Sequence, residues 1–134
     1  MFKKVYIAID GSEFSKQALS VATKIAQNFH AHLCIAHCID EDTSEKKEKG
    51  NNLLVQAKST IENINVDTQL LISGSDYGLN GITMAIAASA VDWGADLVVA
   101  GTSNKKGIDR FFLGSVAEEL VTKVDCSIML VRMN

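Results

Sequence analysis

Asp96-Leu97-Val98-Val99-Ala100 runs without a break into Gly101-Thr102-Ser103-Asn104-Lys105-Lys106-Gly107, and Gly114-Ser115 follows a little further on. The apolar run closed by glycine predicts a buried strand that stops at a glycine-rich turn. Such an ending delivers bare backbone N–H groups to the edge of a sheet. A helix opening at Gly114-Ser115 adds orphan amides and the positive end of its dipole, which favour an anion such as phosphate. A plain glycine-rich turn between strand and helix fits the same residues equally well when they are taken alone.

The upstream chain repeats the strand, turn, helix unit. Residues 5–9 are a short apolar run closed by Asp10-Gly11-Ser12, and residues 15–29 place Ala18, Leu19, Ala22, Ile25, Ala26 and Phe29 at helical spacing. Residues 31–39 read as a second strand. Residues 40–50 are highly charged and lack apolar anchors, which predicts a mobile loop or a solvated helix start. A helical face over 53–64, a strand over 66–72 and a helix over 79–93 follow. The strand at 96–100, a helix marked by Val116, Leu120, Val121 and Val124, and a fifth strand over 127–132 complete the chain.

This alternation predicts an α/β fold, a three-layer α/β/α sandwich around a five-stranded parallel sheet with right-handed crossovers. The length and apolar content suit one domain, residues 1–134. In such a sheet ligands sit beyond the carboxyl ends of strands, where the strand order reverses. With the order 3-2-1-4-5, strands one and four are neighbours there, and Asp10 faces the Gly101 loop across one crevice.

Composition narrows the partners. A net charge of -3 supplies no global basic field, so nucleic acid and anionic membranes are not expected partners. Cys34 and Cys38 lie on one predicted strand, about 13 Å apart, beyond disulfide reach. With Cys126 they make an odd, unpaired set that suits reduced thiols in a cytoplasmic protein. His30, His32 and His37 stand at no zinc-ligand spacing, so no metal is assigned to them. The first residues enter a strand directly without a signal-peptide pattern, and no run of 18 apolar residues suggests a membrane span.

Asp10-Gly11-Ser12 after strand one, taken with Gly101 and Gly114-Ser115 after strand four, makes the chain similar to the universal stress proteins of the nucleotide-binding type. The family's phosphate motif is Gly, two residues, Gly, nine residues, Gly, then Ser or Thr. The matching positions here are Gly101, Asn104, Gly114 and Ser115. Asn104 is the departure; asparagine is the non-glycine residue that best tolerates left-handed backbone, although its side chain could crowd a phosphate.

The resemblance implies a Rossmann-like fold of the adenine nucleotide alpha hydrolase type, and a site for ATP or AMP/ADP, with or without Mg²⁺. Asp10 matches the aspartate that meets the ribose or adenine, with a helix N-cap as its alternative role. Ala8 and Cys38 match positions around the adenine, Cys38 being equally readable as an ordinary strand thiol. Ala100, Gly101, Ser103 and Asn104 match the first half of the phosphate motif, and Gly114, Ser115 and Val116 the second. Trp93, Phe111, Phe112 and Leu113 read as packing residues. The resemblance further implies a homodimer through the strand from Ser127 to Arg132, acting as a stress-response or regulatory factor. Two alternatives remain: slow ATP hydrolysis assisted by Asp10 or Mg²⁺, and a dimeric interaction module of the same family that binds no nucleotide.

Overall fold

A computed structural model describes residues 1–74, 78–102 and 120–132. Five strands, β1 (Lys4–Ala8), β2 (His32–Ile39), β3 (Val66–Ile72), β4 (Leu97–Thr102) and β5 (Ser127–Arg132), form an all-parallel sheet in the order β3-β2-β1-β4-β5. That is the order expected from the sequence. Helices α1 (Glu13–Phe29), α2 (Ser44–Ser59) and α3 (Gly78–Trp93) connect the strands up to β4.

Side chains alternate across a strand, so β1 sends Val5 and Ile7 to one face of the sheet and Tyr6 and Ala8 to the other. The first set packs with Ala18, Ala22 and Ala26 of α1 and Leu54 of α2. The second packs with Ile86, Ala87 and Ala90 of α3, together with Leu120 and Val124. Strand order explains this division of the helices. The chain winds outward through β1, β2 and β3 in one direction and through β4 and β5 in the other. Right-handed connections that reverse their direction of travel change face.

Helix α1 starts where Ser12 Oγ accepts the Ser15 N–H and ends at His30, whose left-handed backbone (φ 53) turns the chain into β2. The charged stretch at 40–50 is a solvated helix start. Thr43 Oγ1 caps α2 by accepting the Lys46 N–H at 3.2 Å, and the helix runs from Ser44. Lys46 pairs with Asp40 at 2.7 Å, and Glu45 with Lys49 at 3.3 Å one turn on. At the other end α2 stops at Ser59, short of the expected 64. Thr60 is its C-cap, and Asn63 with φ 71 redirects the chain toward β3. Strand β4 runs two residues past the expected end at Ala100.

The face beneath α3 carries a buried polar chain. The Tyr6 hydroxyl donates to Ser89 Oγ at 2.8 Å, and Ser89 Oγ donates to Gln69 Oε1 at 2.7 Å, so β1, α3 and β3 are linked through satisfied groups. Trp93 is a packing residue, as expected. It sits at the amino end of the sheet, with the Lys4 ammonium 4.4 Å from its ring centroid and Tyr6 and His32 against it.

Candidate functional site

The crevice begins where the pairing of two strands stops. β1 pairs with β4 at Val5↔Leu97, Tyr6↔Val98 and Ile7↔Val99 and no further. β1 and β2 stay paired to Ala8↔Ala36, and Ile9 continues that contact by donating its N–H to the Ala36 carbonyl at 2.8 Å. β4 meanwhile follows β5 to Thr102↔Arg132. Beyond Ile7 and Val99 the two central strands therefore part, at the point where strand order reverses. Ala8 and Asp10 stand on one lip, Ala100 and Gly101 on the other.

Asp10 opens a tight turn into α1. Its Oδ1 accepts the Ser12 N–H at 2.9 Å and the Ser12 hydroxyl at 2.5 Å, while its own N–H donates to Ser15 Oγ at 3.0 Å. Gly11, at φ +84, supplies the left-handed step that a side chain would strain. The N-cap is Ser12, and Asp10 acts one step earlier by fixing that serine. Among the described residues Oδ2 of this exposed carboxylate makes no hydrogen bond. One oxygen is structural; the other is left without a partner among the described residues.

Gly101 has a steric reason to be glycine. A Cβ there would lie 2.7 Å from the Phe14 carbonyl oxygen and 3.3 Å from the Ala18 Cβ. The first turn of α1 thus rests directly on β4, bringing the amino end of that helix to the crevice. Close helix packing and close ligand approach are compatible demands on this residue.

Side-chain size is graded along the sheet face that carries α3. At its amino end stand Tyr6 and Trp93; at its carboxyl end Ala8, Ala36, Cys38 and Ala100 form a low shelf. Ala8 and Cys38 are only half-buried, so a flat ring could lie against them. Burial pushes the Cys38 thiol up, with a hydrogen bond from Ser73 working against the rise. Cys38 at neutral pH is therefore a small, soft contact surface and not a thiolate nucleophile.

Two residues at the same end of the sheet hold it together in ways the sequence does not announce. His37 Nδ1 lies 2.6 Å from the Ile9 carbonyl, which can only accept, so the ring proton sits on Nδ1 and the ring ties β2 to the end of β1. Its signal was a polar side chain within the apolar run of β2. Ser15, buried on the first turn of α1, anchors the Asp10 amide. Ser103, Asn104, Gly114, Ser115 and Val116 lie outside the described residues, as do Lys105, Lys106, Phe111, Phe112 and Leu113. Among the described residues no three His, Cys, Asp or Glu side chains gather closely enough to hold a metal ion, and no helix is long and apolar enough to cross a membrane.

Comparison with known proteins agrees with this architecture. The universal stress protein MJ0531 of Methanocaldococcus jannaschii is 30% identical, over 98% of this chain and 83% of its own length. The structure of the universal stress protein from Archaeoglobus fulgidus in complex with dAMP shares the fold, with a TM-score of 0.73 and 21% identity over 96% of both chains. So does a universal stress protein solved in complex with cAMP, with a TM-score of 0.71 and 21% identity over 99% of this chain and 98% of the other. The model of the universal stress protein family matches residues 1–68 and 81–132, both walls of the crevice included. By that match and by its relatives, the chain belongs to the universal stress protein family.

Proposed function

We propose that this chain binds an adenine nucleotide in the crevice between β1 and β4. In this reading it acts through binding, as a dimeric regulatory factor of the cytoplasmic stress response. The observation that carries the reading is the parting of β1 from β4 beside the shelf of small side chains. Ala8 and Cys38 take the base, and the second oxygen of Asp10 takes a ribose hydroxyl. The backbone from Ala100 and Gly101 through Ser103 and Asn104, with Gly114, Ser115 and Val116, takes the phosphates. The ligand is ATP or its AMP or ADP relative, with Mg²⁺ on the phosphates where there is more than one. Two proteins of the same fold were solved with dAMP and with cAMP, which supports an adenine nucleotide as the class.

Binding is favoured over turnover because the sequence has no G-x-x-x-x-G-K-S/T loop and, in this reading, the free oxygen of Asp10 is engaged by the ribose. The dimer joins β5 of two copies. Among the described residues β5 pairs with β4 alone and exposes Met129, and a two-fold antiparallel contact would satisfy that edge. Calorimetry on protein freed of carried-over nucleotide, titrated with AMP, ADP and ATP, is expected to show saturable binding at or below millimolar concentration. No saturation with any of the three overturns the reading. Sedimentation checks the dimer.

A further inference from the structure

We propose that the cleft between α1 and α2 is a second ligand site, on the opposite face of the sheet from the shelf, and that it takes a small amphipathic monoanion with an aliphatic body and a carboxylate head. An inner hollow of about 300 Å³ lies behind the β1–α1 turn, with Ile9, Leu19, Leu53 and Ala57 in its walls. An outer hollow of about 340 Å³ adjoins it. The two share Lys16, Leu19 and Thr60, and the outer one adds Lys24. A half-open, mostly apolar hollow of this size with a few polar groups at its rim has the build of a small-molecule site.

The mouth sets the sign of the ligand. Lys24 makes no ion pair among the described residues, and Lys16 makes only an exposed contact with Glu13 at 3.4 Å, which an anionic head can displace at little cost. The chamber sets the body, because an aliphatic chain entering past Leu19 removes apolar wall from water along with its own surface. Gly11 and Ser15 also line the inner hollow, and Ser15 holds the Asp10 amide. Occupancy is therefore felt at the turn that carries Asp10.

The test is an amide-resonance titration with octanoate, 1-octanol and butyrate as probes. Octanoate is expected to saturate, moving the amides of Gly11, Leu53 and Ala57. Octanol, without the charge, and butyrate, without the body, should each bind at least about fivefold more weakly. Lys24→Gln should bring octanoate down toward octanol. Leu53→Trp should fill the chamber and remove binding; Ala57→Leu fills the same space if the tryptophan variant does not fold. The proposal is overturned if octanoate does not saturate, if octanol matches it, or if a folded filling variant binds unchanged. None of these readouts uses nucleotide, so the outcome is independent of the crevice.

Discussion

Asp10 Oδ1 receives both the backbone N–H and the hydroxyl of Ser12, at 2.9 and 2.5 Å, so a carboxylate beside the crevice is a structural part of the helix start next to it. Asp10→Ala should cost about 0.5–1.5 kcal/mol and Ser12→Ala about 1 kcal/mol. The double variant should lose clearly less than the two together, because the residues share their hydrogen bonds. Urea unfolding of the four proteins measures this. Full additivity would mean that the pair is not coupled. On the proposed function, Asp10→Asn, which keeps an acceptor for Ser12, should still weaken AMP binding.

Gly101→Ala should destabilise the protein by about 1–3 kcal/mol, because its new Cβ meets the Phe14 carbonyl, a backbone group that cannot rotate away. Ala18→Gly in the same chain should not restore the loss, since it relieves only the 3.3 Å contact. Thermal unfolding of the single and double variants checks both statements. A neutral Gly101→Ala would show that α1 can lift off β4 freely.

Alkaline pH should destabilise the fold before it ionises every buried group. Burial pushes the Cys34 thiol from its ordinary value near 9 up to about 12, and raises the Tyr6 phenol far above 10. Between about pH 9 and 12 the unfolded chain releases these protons while the folded chain keeps them. Stability is therefore complete below pH 9 and falls as pH rises. Denaturant unfolding from pH 8 to 11 should show the decline, and Cys34→Ala should flatten its first part. A flat profile in the native protein would contradict these assignments.

Burial holds the Cys38 and Cys126 thiols above their ordinary value, so both should react with a disulfide reagent at pH 7 several-fold more slowly than a free thiol. Saturating AMP should slow Cys38 further and leave Cys126 unchanged, given that Cys38 lies under the base in the proposed complex. Residue-resolved mass spectrometry of the labelled protein reads the two sites separately. Equal protection of both thiols would point to general tightening and not to contact.

The strands and their parallel pairing could be read from the sequence because each buried strand is a compact apolar run alternating with helices, whereas the order 3-2-1-4-5 follows from the family resemblance. Helix α2 shows what periodicity misses. Its first turns carry Glu45, Lys46, Lys47, Glu48 and Lys49, and are held by the Thr43 cap and by ion pairs, which leave no apolar stripe. At the site, Asp10 and Gly101 were found from their neighbours in sequence, but the purpose of each was only half visible. That Gly101 must accommodate Phe14, and that Asp10 must hold Ser12, are relations between distant or folded groups. The role of His37 is not legible because its partner is a backbone carbonyl, which carries no sequence signature.

The contact between Phe14 and Gly101 bears on how the crevice can work. Phe14 belongs to the helix that follows β1, and Gly101 to the strand across the divide, so the two halves of the sheet are clasped by backbone touching backbone at the mouth of the gap. Opening the crevice by swinging one half of the sheet from the other would have to break this contact, so the helix that follows β1 and the strand β4 are expected to move together.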